Sequence, residues 1–227
     1  KSEENESSVI LNSKELLVKI NKVSGNVEYS TSSGEDILKE NGEALLKPVV
    51  YDGDSGFTMQ QDFSLTPTEG IYGLGQHQDG YFNYRGKEVK LVQSNTEAVN
   101  PFLISTAKYG ILWDNYSMTI FKDNNEKTSI WSDMGDNIDY YFIKGSNMDK
   151  VISGYRFLTG TAPMYGKYAY GYWQSKEHYD TQEELLSKAR QYRKLKIPID
   201  NMIQDWDWWN GNLNWGSMVF DKTLFPE

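Results

Sequence analysis

Two acids flank one tryptophan in the run Asp205-Trp206-Asp207, and the aromatic run continues through Trp208 and Trp209. An earlier stretch, from Tyr170 through Trp173, Gln174, Lys176 and Glu177 to Tyr179, has the same polar and aromatic mixture. Carboxylates accept hydroxyl protons in charge-assisted hydrogen bonds, and indole rings present flat apolar faces. Acids beside tryptophans therefore suit a sugar, whose hydroxyls and C–H face need both. The chain contains two histidines and no cysteine. Disulfides and thiolate chemistry are excluded, and no Ser-His-Asp arrangement, phosphate-cradling glycine loop or metal-ligand spacing stands out. No cofactor is expected.

Each of the two stretches closes a segment that reads as a strand, residues 168–174 and 201–205. Residues 180–195 between them read as a helix. Asp180 with Glu183 gives a start resembling a capping box, Leu185, Leu186, Ala189, Tyr192 and Leu195 form one apolar stripe, and lysines and arginines gather at the carboxyl end, where they complement the helix dipole. Those cations read as a solvated helix face. Strand, helix and strand in this order make a βαβ unit with parallel strands, and ligands of such units sit at the carboxyl ends of the strands. Those ends are where the acids and tryptophans fall.

The preceding residues, 9–163, read as β structure. Residues 16–20 are apolar and residues 26–29 alternate with period two, and further strands are expected at 89–93, 102–105, 111–113, 117–122 and 137–143. Glycine and asparagine turn signals punctuate them, as in a sandwich. Met148, Val151, Ile152, Tyr155 and Leu158 fall at helical spacing behind a potential cap at Asn147, which predicts a short linking helix.

The 227 residues carry a formal net charge of −9, with 38% hydrophobic and 24% charged residues. That balance describes a folded globular chain. It argues against nucleic acid as partner, because an acidic surface releases no counterions from a phosphate backbone. No run is apolar enough to span a membrane and no signal peptide is evident. The polar start at residues 1–8 reads as a trimmed terminus, and a secreted, periplasmic or cell-surface location is expected over a cytoplasmic one. One βαβ unit closes neither a barrel nor an open sheet, so the chain reads as a piece of a longer protein.

Several segments in order resemble glycoside hydrolase family 31, the α-glucosidases and α-xylosidases. They are Ile71-Tyr72-Gly73-Leu74-Gly75-Gln76, Gln93-Ser94-Asn95-Thr96-Glu97, Tyr109-Gly110-Ile111-Leu112-Trp113-Asp114-Asn115, Gly171-Tyr172-Trp173-Gln174-Ser175-Lys176-Glu177 and Asp205-Trp206-Asp207-Trp208-Trp209. Trp215-Gly216-Ser217, Phe220-Asp221 and Leu224-Phe225-Pro226 extend the match. The resemblance implies a mainly β chain: an N-terminal β-sandwich domain over residues 1–163, then the first βαβ segment of a (β/α)8 barrel over residues 164–227. It implies a retaining enzyme whose aspartate nucleophile and aspartate acid/base lie on later barrel strands, so that no catalytic residue is expected in this chain. Asp205 and Asp207 do not replace that pair. Two apart on one strand, they would sit roughly 6.6 Å apart and point the same way, whereas a retaining pair flanks the bond from opposite sides. They are assigned to substrate binding, Asp207 by resemblance to sugar hydroxyls. Trp206, Glu177 and Tyr179 are further expected contacts, as is Asn95, on a loop over residues 93–100 that reaches the pocket rim in relatives. Trp215-Gly216-Ser217 leans towards the α-xylosidases and the acid at Asp207 towards the glucosidases.

The expected partner is an oligosaccharide, with self-association possible through residues 164–227. Two other readings stand beside the hydrolase: a non-catalytic carbohydrate-binding or interaction module made of the sandwich, and an α-glucosyl transferase of the same family.

Overall fold

Alternation of apolar and polar side chains builds most of the chain. The computed structural model describes every residue except Asn125, Asn210 and Glu227, and the side chain of Asn212 is likewise left aside. The chain divides into two units, Lys1–Thr161 and Ala162–Glu227.

The first unit is two antiparallel sheets. Its strands are β1 (Ser2–Glu4), β2 (Ser8–Asn12), β3 (Leu16–Asn21), β4 (Val27–Thr31), β5 (Asp36–Glu40), β6 (Leu45–Tyr51), β7 (Asp54–Ser64), β8 (Ile71–Gln76), β9 (Glu88–Leu91), β10 (Ala98–Ser105), β11 (Tyr109–Trp113), β12 (Thr119–Asp123), β13 (Thr128–Gly135) and β14 (Tyr140–Lys144). The larger sheet runs β1-β2-β3-β4-β5-β7-β13-β12-β9, with β6 also paired to β7, and the smaller runs β14-β11-β10-β8. The inner faces meet in one core: Leu38, Met59, Phe63 and Phe121 from the larger sheet, Leu103, Tyr109, Ile111 and Trp113 from the smaller. Trp113 satisfies its indole N–H across that core, donating to Ser132 Oγ at 2.8 Å. Period two then sends the intervening residues of β10 to the opposite face of the smaller sheet. There Phe102 and Ile104, with Ile143 of β14, form a second core with Val151 of helix α1 (Met148–Thr159). Asn147 caps α1 as the sequence predicts, its side chain accepting the Lys150 N–H at 2.9 Å.

The expected β-sandwich is present and the expected strands fall within or beside observed ones. Several others carry too many polar residues to announce themselves, β1 and β7 above all. The polar residues at the start pair as a strand: β1 lies antiparallel to β2 with Glu3 opposite Ile10.

The second unit holds β15 (Trp173–Lys176), helix α2 (Gln182–Lys194) and β16 (Asn201–Gln204). Three expectations are corrected here. Residues 168–174 are not one strand: Lys167–Tyr170 is a 3-10 turn, closed by Ala169 N–H to Gly166 O and Gly171 N–H to Tyr168 O. The cap of α2 is Thr181, not Asp180, with Thr181 Oγ1 accepting the Glu184 N–H at 3.2 Å. The carboxylate that reaches back is that of Glu184 rather than Glu183, and it takes the N–H of Asp180 at 2.8 Å. β16 stops at Gln204, one residue before Asp205.

Candidate substrate-binding site

β15 and β16 pair in parallel, with Trp173 opposite Asn201 and Lys176 opposite Gln204. Parallel strands end at the same side, so the residues that follow each of them emerge together. Glu177, His178 and Tyr179 follow β15, and Asp205, Trp206 and Asp207 follow β16. One amide fastens the two groups. Gln204 accepts the Tyr179 N–H through Oε1 at 3.0 Å, and its Nε2 donates to Tyr179 O at 3.1 Å and Trp206 O at 2.9 Å. Gln204 was not singled out from the sequence. The signal available was an amide as the last residue of a parallel strand, where its two ends can serve neighbouring backbones.

The two acids do not share a strand. Both lie beyond the end of β16, and Asp207 adopts φ +60°, a left-handed conformation. The premise that their side chains run parallel along one strand therefore fails. A left-handed residue costs about 1–2 kcal/mol, and aspartate is among the side chains that tolerate it best. Asp205 is exposed and Asp207 half-buried. Asp207 Oδ1 accepts the Gly211 N–H at 3.3 Å, which places its carboxylate inside the turn after the strand.

Around them stands an aromatic cluster. The Trp206 ring centroid lies 5.5 Å from that of His178, edge to face, and 5.7 Å from that of Trp215. Trp209 sits 5.4 Å from Trp215 and 4.5 Å from Trp208. Trp206 is half-buried and Trp215 is 68% exposed, so part of the cluster offers indole surface to a ligand. His178 is half-buried against Trp206 with Nε2 3.0 Å from Asp180 Oδ1.

The remaining expected contacts divide. Glu177 is exposed. Tyr179 is 2% exposed, so its ring belongs to the interior of this unit. Its hydroxyl receives the Gln174 amide N–H at 3.4 Å. Asn95 is exposed and belongs to the first unit. A hollow of about 360 Å³ opens between β15 and α2, lined by Gln174, Lys176, Tyr179, Tyr192, Leu195 and Ile197, and none of the acids after β16 lines it. At its rim Lys176 pairs with Glu184 at 2.8 Å, which holds the Glu184 carboxyl below its usual range and the Lys176 amine above its own. Among the described residues no group of three or more His, Cys, Asp or Glu side chains is placed to hold a metal ion. No helix among them is long and apolar enough to cross a membrane.

Comparison with known proteins fits both units. Residues 1–121 match the model of the glycosyl hydrolase 31 N-terminal galactose mutarotase-like domain, and residues 162–227 that of the glycosyl hydrolases family 31 TIM-barrel domain. An α-xylosidase of Saccharolobus solfataricus is 39% identical over 225 residues, covering 92% of this chain and 31% of its own length. The crystal structure of a family 31 α-xylosidase from a soil metagenome, complexed with xylose, is 29% identical and superposes with a TM-score of 0.88 over 100% of this chain and 36% of that one. A family 31 dextranase of Flavobacterium johnsoniae, complexed with isomaltotriose, is 25% identical with a TM-score of 0.81 over 99% of this chain and 28% of that one. The chain thus spans about a third of the length of the relatives it matches. With one family model covering more than half of its residues and a second most of the remainder, the chain belongs to glycoside hydrolase family 31.

Proposed function

We propose that this chain is part of a retaining α-glycoside hydrolase that removes terminal α-linked glucose or xylose from oligosaccharides. The 39% identity to an α-xylosidase across 92% of the chain carries this reading. In it the chain supplies the sandwich and part of the substrate pocket, and the catalytic aspartate pair lies elsewhere in the protein. Asp207 takes sugar hydroxyls, supported by its position after a parallel strand and by a left-handed backbone, since strained residues gather at ligand sites. Trp206 offers a stacking face beside it, with Asp205 and Glu177 as exposed acceptors and Asn95 as a contact from the 93–100 loop. Tyr179, being interior, serves by holding the loop after β15 in place. A location outside the cytoplasm belongs to the same reading. The experiment is a screen of the full-length protein against nitrophenyl α-xyloside and nitrophenyl α-glucoside. Release of nitrophenol from either supports the proposal. Inactivity on both, with retained sugar binding, would favour the carbohydrate-binding module, and glycosyl transfer to an added sugar in preference to water would favour the transferase.

A further inference from the structure

The loop that carries Asn95 is fastened by a contact between His77 and Glu97. Gly73 and Gly75 both adopt φ +99°, and Leu74 between them φ +62°. This irregular run lets β8 approach the start of β10 so closely that a Cβ on Gly75 would lie 2.2 Å from Ala98 O and 2.8 Å from Val99 Cα. It also turns the Leu74 carbonyl towards His77, whose Nε2 lies 2.9 Å from that oxygen. The other ring nitrogen, Nδ1, lies in direct contact with Glu97 Oε2, and the two side chains are only 4% and 25% exposed. His77 is thus wedged between the strained strand and the loop, with Tyr84 packed edge-on against its ring. The loop closes on itself above this wedge. Gln93 Nε2 donates to Glu97 O at 2.5 Å, Gln93 Oε1 accepts the Val99 N–H at 3.2 Å, and the Glu97 N–H reaches Ser94 O at 3.2 Å. Asn95 stands exposed at the tip, followed by Thr96 at φ +70°. The Glu97 carboxylate faces inward to His77, whereas Asn95 is exposed at the tip of the loop.

We propose that His77 is a positioning residue: its contact with Glu97 locks the 93–100 loop and fixes Asn95 for substrate. The substrate part rests on the proposed glycosidase reading, whereas the lock does not. The test uses the full-length protein with His77→Ala, Glu97→Gln, the double variant and Asn95→Ala. Hydrogen exchange reports the lock without any turnover. The Glu97 and Val99 amides should exchange about tenfold or more faster in either single variant, as expected when the contact that fastens the loop is removed and it opens more readily. The double variant should exchange no faster than the singles, because both remove the same interaction. In kinetics on the aryl glycoside that the wild type accepts, His77→Ala, Glu97→Gln and Asn95→Ala should each raise KM several-fold with kcat near the parent value. A merely structural lesion would instead reduce active enzyme and leave KM alone. Unchanged exchange at both amides, or additive effects in the double variant, overturns the lock. Faster exchange with unchanged KM overturns the positioning role. A wild type inactive on every α-glycoside sinks the glycosidase reading and leaves the exchange result to decide the lock alone.

Discussion

At the residue scale the decisive position is Asp207. Its left-handed backbone and its charge have to be separated, because alanine at φ +60° would add strain to the loss of the carboxylate. Asparagine tolerates that region nearly as well as aspartate. Asp207→Asn in the full-length protein is therefore the clean substitution, and it should leave the melting temperature near the parent value. Asparagine keeps a neutral oxygen acceptor, and a charge-assisted hydrogen bond is roughly twice as strong as a neutral one, so about half of its 1.5–3 kcal/mol is lost and kcat/KM should fall roughly threefold to tenfold. Kinetics within twofold of the parent would remove Asp207 from the ligand set. The acid–tryptophan pattern was legible in the sequence because residue chemistry alone suggests it. The backbone was not: nothing in Asp205-Trp206-Asp207 says that the strand ends at Gln204, and the argument from parallel side chains failed on that one residue.

At the element scale, helices were easier to read than strands. α1 and α2 declare themselves through apolar spacing and a polar cap, and only the register of the α2 cap was misread. Asp180 and Thr181 are both good caps with a glutamate three residues on, and the chain settles it by turning at Thr181. Thr181→Ala should therefore destabilise the second unit by about 1 kcal/mol, whereas Asp180→Ala should cost little, since the Asp180 contribution to the helix start is a backbone N–H. Denaturant melts followed by a probe in this unit would distinguish them, and a larger effect at Asp180 would reverse the assignment. Strands fail differently. Tyr168, Tyr170 and Tyr172 carry strand propensity, yet tertiary context overrides it, and the first two lie in a 3-10 turn. β7 reads as polar because Gln60 and Asp62 alternate with the core residues Met59 and Phe63, and a long strand shared between neighbours on both sides does not need a continuous apolar pattern.

At the scale of the whole molecule, the sandwich sets a limit on alkaline stability. Three tyrosine hydroxyls are held in its interior: Tyr29 donates to Tyr140 at 3.0 Å, Tyr140 to Glu40 Oε1 at 2.6 Å, and Tyr109 to Glu69 Oε1 at 2.5 Å. Burial pushes all three up, Tyr29 to about 12 and the other two well above their ordinary value. The unfolded chain releases these protons near pH 10 while the fold retains them, so the unfolded state binds fewer protons and stability must fall as pH rises. The loss begins near pH 10, and each such tyrosine contributes a slope of about 1.4 kcal/mol per pH unit until its folded-state value is passed. Tyr140→Phe should flatten the decline in melting temperature above pH 10, and an unchanged slope would show that its hydroxyl is not protected. The second unit sets a different limit. Tyr168 is 59% exposed and Tyr170 74% exposed, and Val219 and Phe220 are exposed as well. Soluble monomers rarely leave large apolar side chains grouped on one surface, and β15 and β16 form a two-stranded sheet with both edges unpaired among the described residues, which invites pairing with another chain. A polypeptide of residues 1–227 should accordingly be inactive on aryl α-glycosides and should self-associate through residues 164–227. Residues 1–161, whose core is internal to the sandwich, should remain monomeric. Sedimentation velocity of the two polypeptides over a range of concentrations decides between the outcomes. Concentration-dependent association confined to the longer one supports the prediction, and a monomeric longer polypeptide at every concentration defeats it.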